Sequence, residues 1–257
     1  MAKSDKKIVR VQETAASRVD EAQSNFKPTA EAKGKATTFR IIALVLWVLA
    51  IGAEAFSIFW ILRQTPVNMV FLIIALVVIA ILAIGGSLLW KRANVLDPAS
   101  KADKVRFFVQ NQLGAIITVI AFMPLIILIF TNKDMDGKQK GIAGAIGIVL
   151  LLGAGFLGTS INPPSTESYD SEAAVVVSYT GENLVFWTKS GKVYHLCSDA
   201  SAVNLESADN QIYSGTVAEA HAAGKTRLTK EIDLEVQECG LTAPAPADDA
   251  PSPTPTP

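Results

Sequence analysis

RIIALVLWVLAIGAEAFSIFWIL, residues 40–62, is a long run in which only Arg40 at its start and Glu54 carry charge. At about 1.5 Å per residue, a helix of this length crosses a hydrocarbon core of roughly 30 Å, and helices of soluble cores rarely stay apolar for so long. Glu54 is the test. An acid near the middle of a span costs about 3 kcal/mol on insertion scales. The 13 Leu, Ile, Val and Phe residues of the run contribute about −0.3 to −0.6 kcal/mol each, roughly −4 to −8 in total. Insertion wins.

Working outward, three more runs of this kind follow: Val67–Trp90, Phe107–Asn132 and Gly141–Ile161. Trp60 and Trp90 fall near span ends, where an indole prefers the headgroup level. The sequence therefore predicts an all-α, four-helix transmembrane block (about 40–62, 67–90, 107–132 and 141–161). A polar, basic tail (1–39) precedes it, and a small C-terminal α+β domain (162–240) and a Pro-rich, extended tail (241–257) follow. Half of the residues are hydrophobic, 18% are charged and the net charge is −1, which excludes nucleic acid as a partner.

Charge is segregated along the chain. Nine Lys and Arg precede or open the first run and five lie in the second loop, fourteen in all. Arg63, Lys133, Lys138 and Lys140 are the four in the other two loops. The positive-inside rule then puts the N-terminus and second loop in the cytoplasm of a multi-pass plasma-membrane protein, and four spans return the C-terminal domain to the same side. Against this, the third loop is itself basic, so an odd span count with an extracytoplasmic domain is the alternative. A secretory signal does not fit, since the charged region ahead of the apolar run is too long. Ile8, Val9, Val11, Ala15, Ala16, Val19 and Ala22 form at most one weak helical stripe in a tail expected to be mostly disordered.

An intramembrane acid is a functional candidate by default. For Glu54 the sequence offers no basic partner in another span, which favours an interhelical hydrogen bond over an ion or proton path. Pro124 is expected to loosen the third span. Gln110, Asn111 and Gln112 place at least one amide against protein or headgroups. Two strings imitate motifs. Asn132-x-Asp134-x-Asp136-Gly137 begins like a calcium loop but has Ala143 where the bidentate Glu belongs. Gly153-x-Gly155-x-x-Gly158 spells a dinucleotide fingerprint but closes a span and runs into Asn162-Pro163-Pro164. The glycines suit close helix packing instead, and Ala143 with Gly147, and Ala154 with Gly158, have small-xxx-small spacing.

In the C-terminal domain, Ala173–Ser178 is a β-branched run that reads as a strand. Leu184–Thr188 and Lys192–Cys197 flank a turn at Lys189-Ser190-Gly191 and read as a hairpin, and a helix over Thr216–Ala223 ends at Gly224. Strand alternation puts His195 and Cys197 on one face, so that with Cys239 and His221 they are weak candidates for a metal site. The alternatives are a Cys197–Cys239 disulfide or two free thiols. SGKVYHLC (190–197) followed by GTVAEAHAAGK (215–225) resembles small hairpin-helix zinc modules. TRLTK stands where such modules carry Cys-x-x-Cys, so no tight zinc is expected, and no cofactor.

As a set, GGSLLWKRANVLDPASK (85–101), QNQLGAI (110–116), FMPLIILIFTNKDMDGKQKGIAG (122–144), INPPSTESY (161–169) and VFWTKSGKVYHLC (185–197) resemble a family of actinobacterial four-span membrane proteins, mostly without assigned activity. The resemblance implies an accessory subunit of the kind found with the cytochrome bcc–aa3 respiratory supercomplex. Both histidines lie outside the spans, which excludes haem ligation in the membrane. Three function classes remain: a non-catalytic accessory or structural subunit of a larger membrane complex, a small transporter or ion pathway using Glu54, and a membrane-tethered metal or thiol sensor. With no Ser-His-Asp or metalloprotease string, the expectation is that the protein is not an enzyme.

Overall fold

The computed structural model describes residues 6–11, 26–205 and 209–243, so most of the N-terminal stripe and the Pro-rich stretch beyond 243 lie outside the described residues. The chain divides into two compact units, one of residues 27–167 and one combining residues 1–26 with 168–257.

The first unit is a bundle of four helices: α1 (Ala30–Phe59, continued by a 3₁₀ turn to Arg63), α2 (Met69–Leu96), α3 (Lys104–Thr131) and α4 (Gly137–Gly158). All four are long and apolar enough to cross a membrane. Each begins on a polar side chain that accepts the first free backbone N–H groups: Thr29, Asn68, Asp103 and Asp136. Asp136, part of the calcium-like string, forms a reciprocal capping box with Gln139. The Thr29 cap lets α1 start at Ala30, ahead of its apolar run, and α2 runs on to Leu96, past the end of its own.

Leu72, Leu76, Ile79, Ala121, Phe122, Leu125 and Ile129 are fully enclosed between the helices. Glycine sets how closely they approach. A Cβ on Gly86 would stand 2.5 Å from the Trp47 indole nitrogen, and Gly144 leaves room for the Phe130 ring. At Gly158 backbone meets backbone, since a Cβ there would lie 2.8 Å from Ala115 N and from Gly114 C. Ala143, Gly147 and Ala154 are buried on the same inner face of α4. The outward faces are the reverse of a soluble protein: Val48, Val70, Ile81, Val149, Leu152 and Phe156 are each about two thirds exposed.

The second unit is a small α+β body. It holds β1 (Lys7–Arg10), most of α5 (Thr166–Thr180), β2 (Val185–Trp187), β3 (Val193–Tyr194), β4 (Gln211–Gly215), α6 (Val217–Ala222), β5 (Arg227–Leu228) and α7 (Ile232–Glu238). One sheet has the order β1-β4-β2, with β1 parallel and β2 antiparallel to β4; β3 pairs in parallel with β5. A Phe186–His195 bridge links β2 to the segment after β3, giving the expected hairpin. Thr216 opens α6 with a capping box, and Gly224, at φ +88°, closes it. The core joins Val176, Val185, Trp187, Tyr194, Leu196, Val217 and Ala220.

Two expectations are corrected. Ala173–Ser178 is helical, because Tyr169, Ala173 and Val176 recur at helical spacing and all are buried, so packing overrides the local β-preference of three valines. The N-terminal residues are not simply a tail, because Lys7–Arg10 forms a sheet strand with a partner about 200 residues away.

Gly158→Ala should lower the thermal stability of the detergent-solubilised protein by about 1–3 kcal/mol, since neither backbone can yield. Gly153→Ala meets nothing within 4 Å and should be neutral or stabilising by up to about 1 kcal/mol through helix propensity. Equal effects of the two in thermal unfolding would contradict this packing.

Candidate functional site

Glu54 lies in α1, 5% exposed. Opposite it, Pro124 interrupts α3: it lacks an N–H, and its ring disturbs the turn before it. The next backbone N–H, that of Leu125, donates to Glu54 Oε1 at 3.3 Å. The carboxyl is thus spent on the weakened turn of a neighbouring helix. Ser57, Ser87 and Thr118, buried hydroxyls within the four helices, donate to the carbonyls of Ala53, Ala83 and Gly114 on their own helices.

A denser polar assembly occupies the end of the bundle where α1 and α3 begin and α2 and α4 finish. Asp97 accepts from Arg40 Nη1 at 2.7 Å and from Arg106 Nη2 at 3.1 Å to each oxygen. Its backbone carbonyl accepts from Arg40 Nη2 at 3.0 Å and Gln110 Nε2 at 3.3 Å. The Gln110 carbonyl in turn accepts from Trp90 Nε1 at 2.9 Å and from Asn94 Nδ2. Lys91 Nζ reaches Thr159 O at 2.7 Å, and Ser160 N–H reaches Asn111 O at 3.3 Å, which brings in the end of α4. Gln110 and Asn111 are both buried against protein. Asp97 sits in a Pro-containing turn string, and its ion pairs are legible only once three helix ends are placed together.

In the second unit the four weak metal candidates separate. Cys197 and Cys239 form a disulfide. His195 Nδ1 lies 2.6 Å from Glu235 Oε1, and the other Glu235 oxygen accepts Leu196 N–H at 2.9 Å. His221 Nε2 lies 2.8 Å from Glu172, which also accepts the Tyr194 hydroxyl. The Tyr169 ring stacks on His221 with centroids 4.4 Å apart. His221 is thus engaged with α5, whereas Cys197 is bonded to Cys239. Among the described residues no three His, Cys, Asp or Glu side chains group as metal ligands. A buried ammonium, Lys225 Nζ, donates to the carbonyls of Thr188, Lys189 and Gly191 at 2.6–3.1 Å and fixes the hairpin turn. These partners were hidden because Glu172, Glu235 and Lys225 look like ordinary surface residues in the sequence.

No protein family, curated protein or solved structure matches this chain.

Burial alone would raise the Glu172 carboxyl, but hydrogen bonds from His221 and Tyr194 outweigh it and hold the group below the usual carboxylate value. A depressed folded value means that the stabilisation is complete above the unfolded pKa, about 4.3, and is lost as pH falls through the folded one. Glu172→Gln should therefore melt at a lower temperature than the unmodified protein at neutral pH, with the gap closing below about pH 4. A gap that stays constant down to about pH 3 would show that the charge of Glu172 contributes nothing.

Proposed function

We propose that this chain is a non-catalytic accessory subunit of a larger bacterial membrane complex. The observation that carries the reading is how the bundle uses its polar groups. Glu54 braces the Pro124 turn, the buried hydroxyls bond their own helices, and Asp97 ties two arginines at the helix ends. Each interaction stiffens a scaffold. The sequence resemblance to actinobacterial four-span proteins makes the cytochrome bcc–aa3 respiratory supercomplex the complex to examine first.

Helices in hydrocarbon associate by close packing, because lipid solvates Leu as well as protein does. The inner glycines of α4 serve its own bundle, so a partner has to use the outer face. There Gly141 and Ala145 are exposed at small-xxx-small spacing, and neither Gly141 nor Gly153 has a neighbour within 4 Å. Gly141→Leu with Ala145→Leu should strip the protein from its complex in mild-detergent pull-downs while its own melting temperature stays unchanged. If the unmodified protein runs alone with nothing in fixed ratio, this reading fails. Burial of Glu54 favours an ion or proton pathway as the second reading. Loss of a cation- or proton-linked flux in Glu54→Gln, with assembly intact, would put that reading first.

For orientation we follow the charge count and place both termini in the cytoplasm. The Cys197–Cys239 bond opposes this, since such bonds persist in oxidising compartments. A membrane-impermeant maleimide applied to intact cells should label neither cysteine, with or without an impermeant reductant. Labelling after reduction alone would place the domain outside.

A further inference from the structure

Strand β1 lies at a sheet edge, in register with β4 from Lys7 opposite Gln211 to Arg10 opposite Ser214, and Val11 N–H extends the ladder to Ser214 O at 2.9 Å. Its side chains bury little. Lys7, Ile8 and Arg10 are exposed and Val9 is half-buried. The exception is Lys6, 8% exposed, whose ammonium donates to Val203 O at 3.1 Å and to Leu205 O. Those carbonyls belong to a turn that is itself fixed by Val203 and Asn204 N–H groups bonding Ala200 O. A backbone ladder and one buried lysine on the carbonyls of that turn both hold β1. This is the logic of strand-addition peptide sites, in which main-chain bonds supply affinity and a side-chain pocket supplies specificity.

We propose that the β4 edge with the Val203 and Leu205 carbonyls is a peptide-binding site, occupied here by the chain's own residues 6–11. It would accept from another protein an extended segment with a lysine just ahead of a short aliphatic strand. The site lies wholly within the second unit and does not depend on the accessory-subunit reading. The intramolecular arm competes with any such segment, so access to the site is set by how readily β1 lets go.

The test uses the full chain in detergent and a fluorescent peptide of residues 5–12, DKKIVRVQ. A Lys6→Ala, Val9→Pro chain, whose own arm cannot pair, should bind the peptide at least about tenfold more tightly than the unmodified chain, in which the arm competes. The same peptide carrying Lys6→Ala should lose at least about tenfold, the range of a buried charge-assisted contact. Equal binding by both chains overturns the proposal. So does absence of binding to the arm-disabled chain while its disulfide and near-ultraviolet dichroism are intact. A second measurement does not depend on that variant's folding. Lys7→Cys with Gln211→Cys, opposite each other in register, should form a cross-link within one chain that excess peptide suppresses. A cross-link insensitive to peptide, or one joining two chains, refutes occupancy of an exchangeable site by the chain's own arm.

Discussion

A proline inside a helix has no N–H to give, so the carbonyl four residues earlier loses its usual donor and the turn around it is loosened. Pro124 does this within α3, and beside it the Leu125 N–H donates to Glu54 of α1. Ala43, Trp47, Ala50 and Ser57 are turned inward on the same face of α1 as Glu54. Trp47 then needs a hollow in α2, which Gly86 supplies. The helix ends are joined through side chains, since Arg40, Asp97, Arg106, Gln110 and Trp90 satisfy one another where the apolar stretches give out. Glu54 and Pro124 thus meet at one contact between α1 and α3.

The second unit meets a different difficulty. Its core is small, so apolar burial alone leaves it marginal. It compensates with cross-links between segments far apart in sequence. The disulfide closes a loop over a separation of 42 residues, worth about 4 kcal/mol on chain-entropy grounds. Glu235 fixes α7 to the strand beside that disulfide with both of its oxygens, and Glu172 gathers His221 and Tyr194 onto α5. Each buried charge is paired or hydrogen-bonded, the condition under which burial does not destabilise.

Four apolar helices were plain in the sequence because hydropathy over some twenty residues is a sum that no single residue can reverse. The hairpin around Lys189–Gly191 and the helix closed by Gly224 were legible because their turn residues act locally. What stayed hidden was non-local. Ala173–Ser178 carries three consecutive valines, and only the core it packs against shows that they lie on a helix. Lys7–Arg10 is too short and too charged to signal a strand without β4 beside it. The glycines of α4 were recognisable as packing residues, but sequence does not say on which face. Gly144, Gly147 and Gly158 meet their own bundle, whereas Gly141 and Gly153 do not. The metal candidates converged in a strand-alternation argument because it placed His195 and Cys197 on one face; the carboxylates that hold each histidine come from α5 and α7, which alternation cannot see.

The pairing of β1 with β4 constrains the whole chain in a way that neither unit does alone. β1 precedes the first apolar helix and β4 follows the fourth, yet they share a ladder of backbone bonds. The pairing also sets an order on the closing of the sheet during synthesis. Residues 7–10 emerge first but have no strand partner until residue 211 has been made, after every apolar helix. The edge of the sheet therefore closes only after all four apolar helices have been made, and it is closed by a segment held through few side chains. A late, lightly held strand is easier to exchange than one built into a core, because displacing it uncovers little apolar surface.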